Sequence, residues 1–301
     1  MTAAALLGAA TDRLAAAGID TARLDAEVLL AHALGVGRAG LYARLREEVA
    51  DPSRFASLLE RRLRREPIAY IVGEQEFWSL SFAVTPDVLI PRPETELIVS
   101  ASITRWRAAL PRGLSAAPAR GQAPRERRPP TLLDLGTGSG CIAVALAREL
   151  SDARLTAVDV SPAALAVARR NATRHGVAER ITFLTGDLYA PLLADATFDL
   201  IVSNPPYLAP SDPTSPETAF EPRSALLAGA DGLDVIRRII AGARAHLVSG
   251  GQLLIEIGAG QSEAVLALAN AGGFQAPRVE PDLAGIPRLL VAQRPGTARG
   301  G

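Results

Sequence analysis

Lysine is absent from this chain: all 32 basic residues are arginine, balanced by 32 acidic ones. Without lysine there is no Schiff-base nucleophile, no Walker-type phosphate lysine and no lysine general base. Cysteine occurs once, at Cys141, which excludes an internal disulfide and a thiolate metal site. The three histidines, His32, His175 and His246, are scattered. They have no metal-ligand spacing, so no metal is expected. A formal net charge of +0 provides no global field to recruit nucleic acid. No apolar run approaches the ~18 residues of a membrane span. The apolar start, Met1 to Ala10, lacks a basic n-region, and Asp12 and Arg13 soon interrupt it. These absences lead to the expectation of a cytoplasmic protein with no membrane role.

What is present fits an ordinary globular chain, with 301 residues, 48% hydrophobic and 21% charged. That length favours two domains and allows a sizeable core. Residues 1–67 read as helices. Leu24, Val28 and Ala31 recur at helical spacing, widened by Leu29, and Leu58, Leu59 and Leu63 repeat the pattern. Asp51-Pro52 reads as an N-cap followed by Pro at the first helical position. Arg61, Arg62, Arg64 and Arg65 form a basic edge, either a solvated helix face or a docking surface for an acidic partner. A small helical bundle that recognises a macromolecule is expected here. Over residues 68–90 the period changes, and Phe77 to Val84 alternates apolar with small residues, as in a β-hairpin linking two domains. Pro91 and Pro93 then hold Arg92 extended before a helix that starts at Thr95-Glu96. The dense charge beside this rigid segment reads as a turn or as the wall of a site.

Residues 111–130 carry five prolines and two glycines among arginines with no periodicity, and are expected to be a disordered basic insertion. After it, strands are placed at Thr131–Leu135, Arg154–Asp159, Ile181–Thr185, Phe198–Ser203, Gln252–Ile257, weakly from Phe274, and at Arg288–Gln293. Helical stretches lie between them, an alternation that means a mostly parallel sheet covered on both faces.

Two constellations carry chemistry. Asp134-Leu135-Gly136-Thr137-Gly138-Ser139-Gly140 closes the first of these strands and opens a helix. Its glycines let backbone approach a ligand closely and leave N–H groups at a helix N-terminus. The run also fits the loose dinucleotide fingerprint, so a nicotinamide cofactor has to be weighed. Asp159, ending the second strand, is placed for ribose hydroxyls, and Asp187, after the third, for an adenine amino group. Each alone is an ordinary turn residue; three at successive strand ends are better explained by one adenosine-containing ligand. The second constellation follows the apolar run Leu200-Ile201-Val202, which stops at Ser203-Asn204-Pro205-Pro206-Tyr207. Two prolines remove two donors and stiffen the backbone at the C-terminal end of a strand, where open α/β sheets place their ligands. The Asn204 side-chain carbonyl and the stiffened main-chain carbonyls can accept both hydrogens of a planar NH2 group. Tyr207 offers a ring face.

The glycine run with Asp159 resembles the S-adenosylmethionine site of class I methyltransferases. Asn204-Pro205-Pro206-Tyr207 resembles the motif of those that act on a planar amino or amide nitrogen. Tyr70-Ile71-Val72-Gly73, Glu76-Phe77-Trp78, Leu89-Ile90-Pro91-Arg92-Pro93-Glu94-Thr95-Glu96 and Phe220-Glu221-Pro222 with Asp231-Gly232-Leu233 narrow the likeness further. It is to the HemK/PrmC family of peptide chain release factor glutamine methyltransferases, and it covers nearly the whole chain. The insertion at 111–130 and the proline in Gly285-Ile286-Pro287-Arg288 depart from the family pattern. The resemblance implies an α/β, Rossmann-like methyltransferase domain over 91–294, a helical substrate-recognition domain over 1–67 joined by a β-hairpin, and a disordered tail over 295–301. It also implies methyl transfer from S-adenosyl-L-methionine to the amide nitrogen, N5, of the Gly-Gly-Gln glutamine in class I release factors. By position, Gly136, Thr137, Gly138, Ser139 and Gly140 cradle the methionine moiety, Asp159 takes the ribose, and Asp187 and Leu188 border the adenine. Asn204, Pro205 and Tyr207 grip the amide, with Pro206 and Arg92 beside the substrate. An adenine-specific DNA methyltransferase uses a similar grip on a flipped base, but zero net charge and a compact helical N-terminal domain argue against DNA as partner. A ribosomal-protein glutamine remains an alternative target.

Overall fold

The structure of the protein is a computed structural model that describes residues 1–109 and 129–296. The expected insertion therefore lies outside the described residues apart from 129 and 130, as does the tail beyond residue 296. The chain divides into two compact units. One comprises Met1–Gln75, Val84–Pro86 and Thr214–Glu221; the other comprises Glu76–Ala83, Asp87–Pro213 and Pro222–Gly301.

The first unit contains α1 (Ala3–Ala16), α2 (Ala22–Leu34), α3 (Arg38–Ala43), α4 (Ser53–Leu63) and α5 (Ile68–Val72). Leu7, Leu14, Leu29, Leu30, Phe55 and Leu59 form its core. The stripe expected on α2 is rotated. Leu24 is 44% exposed, while Ala22, Ala26, Leu29, Leu30 and Ala31 are buried. Alanines at 22 and 26 let neighbouring helices approach closely, which places the larger leucines one position round. Helix α4 begins at Ser53 rather than at Pro52; Asp51 Oδ1 accepts the Ser53 N–H at 2.8 Å. The arginine edge has its acidic partners inside the chain. Buried Arg62 donates to Asp25 at 2.7 Å and to Glu217 at 3.0 Å, Arg65 pairs with Glu217, and Arg61 binds Glu66. Only Arg64 is left as an exposed member of the run.

Within 68–90 the hairpin is shorter than expected: β1 (Glu74–Phe77) and β2 (Leu80–Ala83), with Ile68–Val72 helical and capped by left-handed Gly73. Trp78 and Ser79 both take positive φ, 53° and 55°, as a two-residue hairpin turn with the right twist requires.

The second unit is built on seven strands. These are β3 (Thr131–Leu135), β4 (Arg154–Asp159), β5 (Ile181–Thr185), β6 (Phe198–Ser203), β7 (Leu247–Glu256), β8 (Gln275–Pro281) and β9 (Pro287–Gln293), in the order β5-β4-β3-β6-β7-β9-β8. The first five are parallel and β9 runs antiparallel to both its neighbours. Pro287 opens β9, a position where its missing donor costs no ladder bond. Helices α6 (Glu96–Ala109), α7 (Cys141–Glu149), α8 (Pro162–Arg174), α9 (Asp234–His246) and α10 (Ser262–Ala271) complete the unit. Strand alternation splits the core into two layers. Leu132, Leu200, Val202 and Leu254 join α6, α7 and α8 in one layer, and Leu133, Leu135, Ile201, Leu253 and Ile255 join α9 and α10 in the other. Continuous apolar runs were the expected mark of strands buried on both faces. The order reverses between β3 and β6, so a crevice opens at their C-terminal ends.

Candidate active site

Register places the candidate residues in a row. Leu135 pairs with Val158 on one side and with Ser203 on the other, Asp159 pairs with Thr185, and Ser203 pairs with Ile255. Asp187, Asp159, the glycine run, Asn204 and Glu256 therefore lie at or just beyond the C-terminal ends of five adjacent parallel strands.

The glycine run separates into two kinds of glycine. Gly136, Gly138 and Gly140 all take positive φ, 70°, 54° and 80°. A Cβ on Gly140 would lie 3.0 Å from Ala168 Cβ, so this glycine serves the packing of α7 on α8. A Cβ on Gly136 would meet nothing within 4 Å, and one on Gly138 only the Gly136 carbonyl at 4.0 Å. These two present bare backbone to open space, the cradle a ligand of this class needs. Asp159 Oδ2 accepts the Gly138 N–H at 2.8 Å and its Oδ1 accepts the Ser161 N–H at 2.9 Å. It is half-buried, and each carboxylate oxygen keeps a lone pair for a further donor. Asn171, missed in the sequence, is fully buried and donates to Ser139 O at 2.9 Å and Ala83 O at 3.0 Å, fixing the far side of the loop.

Asp134 lies beneath the loop, fully buried, and accepts from the Thr137 hydroxyl at 2.7 Å. Burial pushes its carboxyl up to about 7, against the pull of that hydroxyl. Burial also pushes the Cys141 thiol up to about 12, so the one cysteine is a thiol at neutral pH and no nucleophile. Asp187 is exposed and ion-paired with Arg238 at 2.6 Å. Leu188 follows with a positive φ of 51° and rests against the α9 layer.

On the other side of the crevice, Asn204 is half-buried and Pro205 buried. Asn204 Nδ2 donates to Thr95 Oγ1 at 2.9 Å, while Oδ1 is shielded from water and has no hydrogen-bond partner among the described residues. An orphaned amide oxygen costs free energy unless something later donates to it. Tyr207 is held through its backbone. Gln261 Nε2 donates to Tyr207 O at 2.9 Å, and a Cβ on Gly232 would sit 2.3 Å from that oxygen. Gly232 is thereby required where the Asp231-Gly232-Leu233 turn meets the lip. Burial pushes the Tyr207 phenol up to about 12, so it stays neutral. Arg92, half-buried, is close enough to Tyr207 and Glu256 to act electrostatically on both.

Glu256, like Asn171, is not singled out by the sequence. It ends β7, is 1% exposed, and neither carboxyl oxygen has a hydrogen-bond partner among the described residues. Burial raises its carboxyl to about 7, and the nearby Thr95 hydroxyl is the main opposing influence. The signal available was an acidic residue ending the apolar run Leu253-Leu254-Ile255. Among the described residues no cluster of three or more His, Cys, Asp or Glu is arranged to hold a metal ion, and no helix is long and apolar enough to cross a membrane.

Comparison with known proteins agrees with this geometry. Residues 5–73 match the PrmC N-terminal domain and residues 123–219 the Methyltransferase small domain. The release factor glutamine methyltransferase of Geobacter sulfurreducens is 44% identical over 92% of this chain and 91% of its own. That of Cereibacter sphaeroides is 44% identical over 98% of this chain and 99% of its own. Among solved structures, a methyltransferase from Pyrococcus furiosus has a TM-score of 0.50 at 17% identity, covering 81% of this chain and 100% of its own. The 16S rRNA N2 G1207 methyltransferase of Thermus thermophilus, solved with AdoMet and guanosine, has a TM-score of 0.50 at 21% identity over 73% of this chain and 49% of its own. These two share the fold of the sheet unit. Near-full-length identity above two-fifths, with both family regions in order along the chain, establishes that this chain belongs to the release factor glutamine methyltransferase family.

Proposed function

We propose that the chain methylates the side-chain amide nitrogen, N5, of the glutamine in the Gly-Gly-Gln motif of class I peptide chain release factors, with S-adenosyl-L-methionine as donor. The family supplies the reaction class. One observation carries the site: a water-shielded, unpartnered Asn204 carbonyl oxygen beside the glycine crevice, on a backbone stiffened by two prolines.

Gly136 and Gly138 offer open backbone for the donor, and Asp159 has lone pairs left for ribose hydroxyls. Thr137, Ser139 and Gly140 shape the loop, while Asp187 and Leu188 border the position of the base. When bound, the sulfonium donor supplies an already activated methyl group. The work left to the protein is orientation, since an amide lone pair is delocalised and nucleophilic only perpendicular to the amide plane. Asn204 Oδ1 accepts one amide hydrogen and the Pro205 carbonyl the other. Tyr207 and Pro206 wall the side chain, and Arg92 stands behind them. Held in line, such a pair of reactants gains ~7–11 kcal/mol of effective proximity in reference systems. The two carbonyl acceptors also stabilise positive charge as it develops on nitrogen. The surplus proton leaves to water. A neutral Tyr207 phenol and a neutral Cys141 thiol supply no base, and none is required.

The test incubates the full chain and donor with intact release factor, a purified ribosomal fraction and a DNA duplex, then locates the methyl group by peptide mass spectrometry. Methylation confined to the Gly-Gly-Gln glutamine is expected. A methyl group found only on a ribosomal protein or on adenine would refute the substrate assignment.

A further inference from the structure

Asn204 can hold an incoming N–H only if its amide oxygen, not its NH2, faces the crevice. The two ends of a carboxamide have nearly the same shape, so packing alone does not choose between them. What chooses must be a hydrogen-bond partner of fixed polarity. Thr95 is the partner of Asn204 at 2.9 Å, yet a hydroxyl both donates and accepts and is not polar in one sense by itself.

Glu256 resolves this. It lies beside Asn204 in register, one residue past the Ser203–Ile255 pair, and is buried with both carboxyl oxygens unpartnered among the described residues. An ionised carboxylate only accepts. If the Thr95 hydroxyl turns its single proton to Glu256, only lone pairs remain toward Asn204. Nδ2 must then face Thr95, and Oδ1 is left free on the crevice side. We propose that Thr95 and Glu256 are positioning residues that set the direction of the Asn204 amide, with ionised Glu256 orienting the Thr95 hydroxyl. This rests on the reading of Asn204 as the acceptor of the substrate amide.

A neutral Glu256 reverses the logic. It can donate to Thr95, whose proton is then free for Asn204 Oδ1, and the amide loses its preferred direction. The charged groups around Glu256 set that balance. Glu94 on the Pro-rich segment and burial favour the neutral form, while the Thr95 hydroxyl, Arg288 on β9 and Arg92 favour the ionised one. Tyr207 and Cys141 also feel the Glu256 charge, and both stay neutral near pH 7. With the carboxyl raised to about 7, the methylation rate should climb as pH rises through neutrality.

Full-length Thr95→Val, Thr95→Ser, Glu256→Gln and Asn204→Ala are compared with wild type by single-turnover methylation of intact release factor. Melting temperature and donor affinity by calorimetry are measured alongside. Thr95→Val keeps the shape and removes the hydroxyl, so its rate should fall by about 10-fold or more with donor affinity unchanged. Thr95→Ser should recover most of the loss, which a purely steric role would not produce. Glu256→Gln should lower the rate and flatten the rise between about pH 6 and about pH 8. If Glu256→Gln does not fold, the Thr95 pair and the wild-type pH profile decide. A folded Thr95→Val at the wild-type rate, or Thr95→Ser no better than Thr95→Val, would overturn the relay. Asn204→Ala separates the two levels: if it keeps its rate the underlying reading fails, and if it alone is impaired only the relay fails.

Discussion

Replacing Asn204 with alanine removes two things of opposite sign from the resting protein. The Nδ2 bond to Thr95 at 2.9 Å is a neutral hydrogen bond, worth about 1 kcal/mol net. The unpartnered Oδ1 is a buried acceptor whose desolvation costs about 1–3 kcal/mol, and that cost disappears with the side chain. The two nearly cancel, so stability should change by no more than about 1 kcal/mol in either direction. For a unit of this size that is about 2–4 °C in melting temperature. Turnover is governed by a different sum. The substrate N–H that Oδ1 would accept is left unpaired, costing about 1–3 kcal/mol, and a displacement of about 1 Å in a reacting group can cost ~10²-fold. A rate loss of at least ~10²-fold with a near-unchanged melting temperature is expected, together with little change in donor affinity because the glycine loop and Asp159 are intact. Single-turnover methylation, thermal melting and calorimetry on one preparation read all three. A variant that melts many degrees lower while methylating at close to the wild-type rate would show that Asn204 shapes the turn and does not hold the substrate.

The two kinds of glycine should part company on substitution. Gly140→Ala forces a Cβ to 3.0 Å from Ala168 Cβ at a φ of 80° and should lower stability by about 1–3 kcal/mol; Gly136→Ala carries similar backbone strain at a φ of 70° but meets no atom within 4 Å, so it should lower stability less than Gly140→Ala and weaken donor binding more. The reverse ranking by denaturant melts and calorimetry would disprove that division. Arg62→Met leaves buried Asp25 without its cation, while Glu217 keeps Arg65, and should destabilise the helical unit by about 3 kcal/mol, a reading that a neutral result in urea unfolding would reverse. Asp134 has a carboxyl raised by burial to about 7, above its unfolded value, so its contribution is full below about pH 4 and is lost as pH rises through about 7. Asp134→Asn should flatten that decline across urea titrations at several pH values, and an unaltered slope would mean that Asp134 is not the group responsible.

Contiguous motifs carry most of the candidate site. The glycine run and Asn204-Pro205-Pro206-Tyr207 are legible because strand, breaker and functional group fall within a few residues, where φ restriction and backbone donors are local properties. The parallel sheet was legible for the same reason: continuous apolar runs alternating with amphipathic helices leave few ways to bury both. The residues around these motifs were not legible, because their meaning depends on chain distance. Thr95 and Asn204 are 109 residues apart, Arg62 and Glu217 are 155 apart, and Asn171 meets Ala83 across 88. An arginine run reads the same whether its counter-charges are solvent, a partner protein or a glutamate from a distant loop. Leu24 fits a helical stripe as well as Leu29 does, and only the neighbouring helices decide which is covered. Glu256 looked like the polar end of a strand. Its isolation from water and its place beside Asn204 come from strand order, which follows from how the helices pack on the two faces and not from any local preference of the chain.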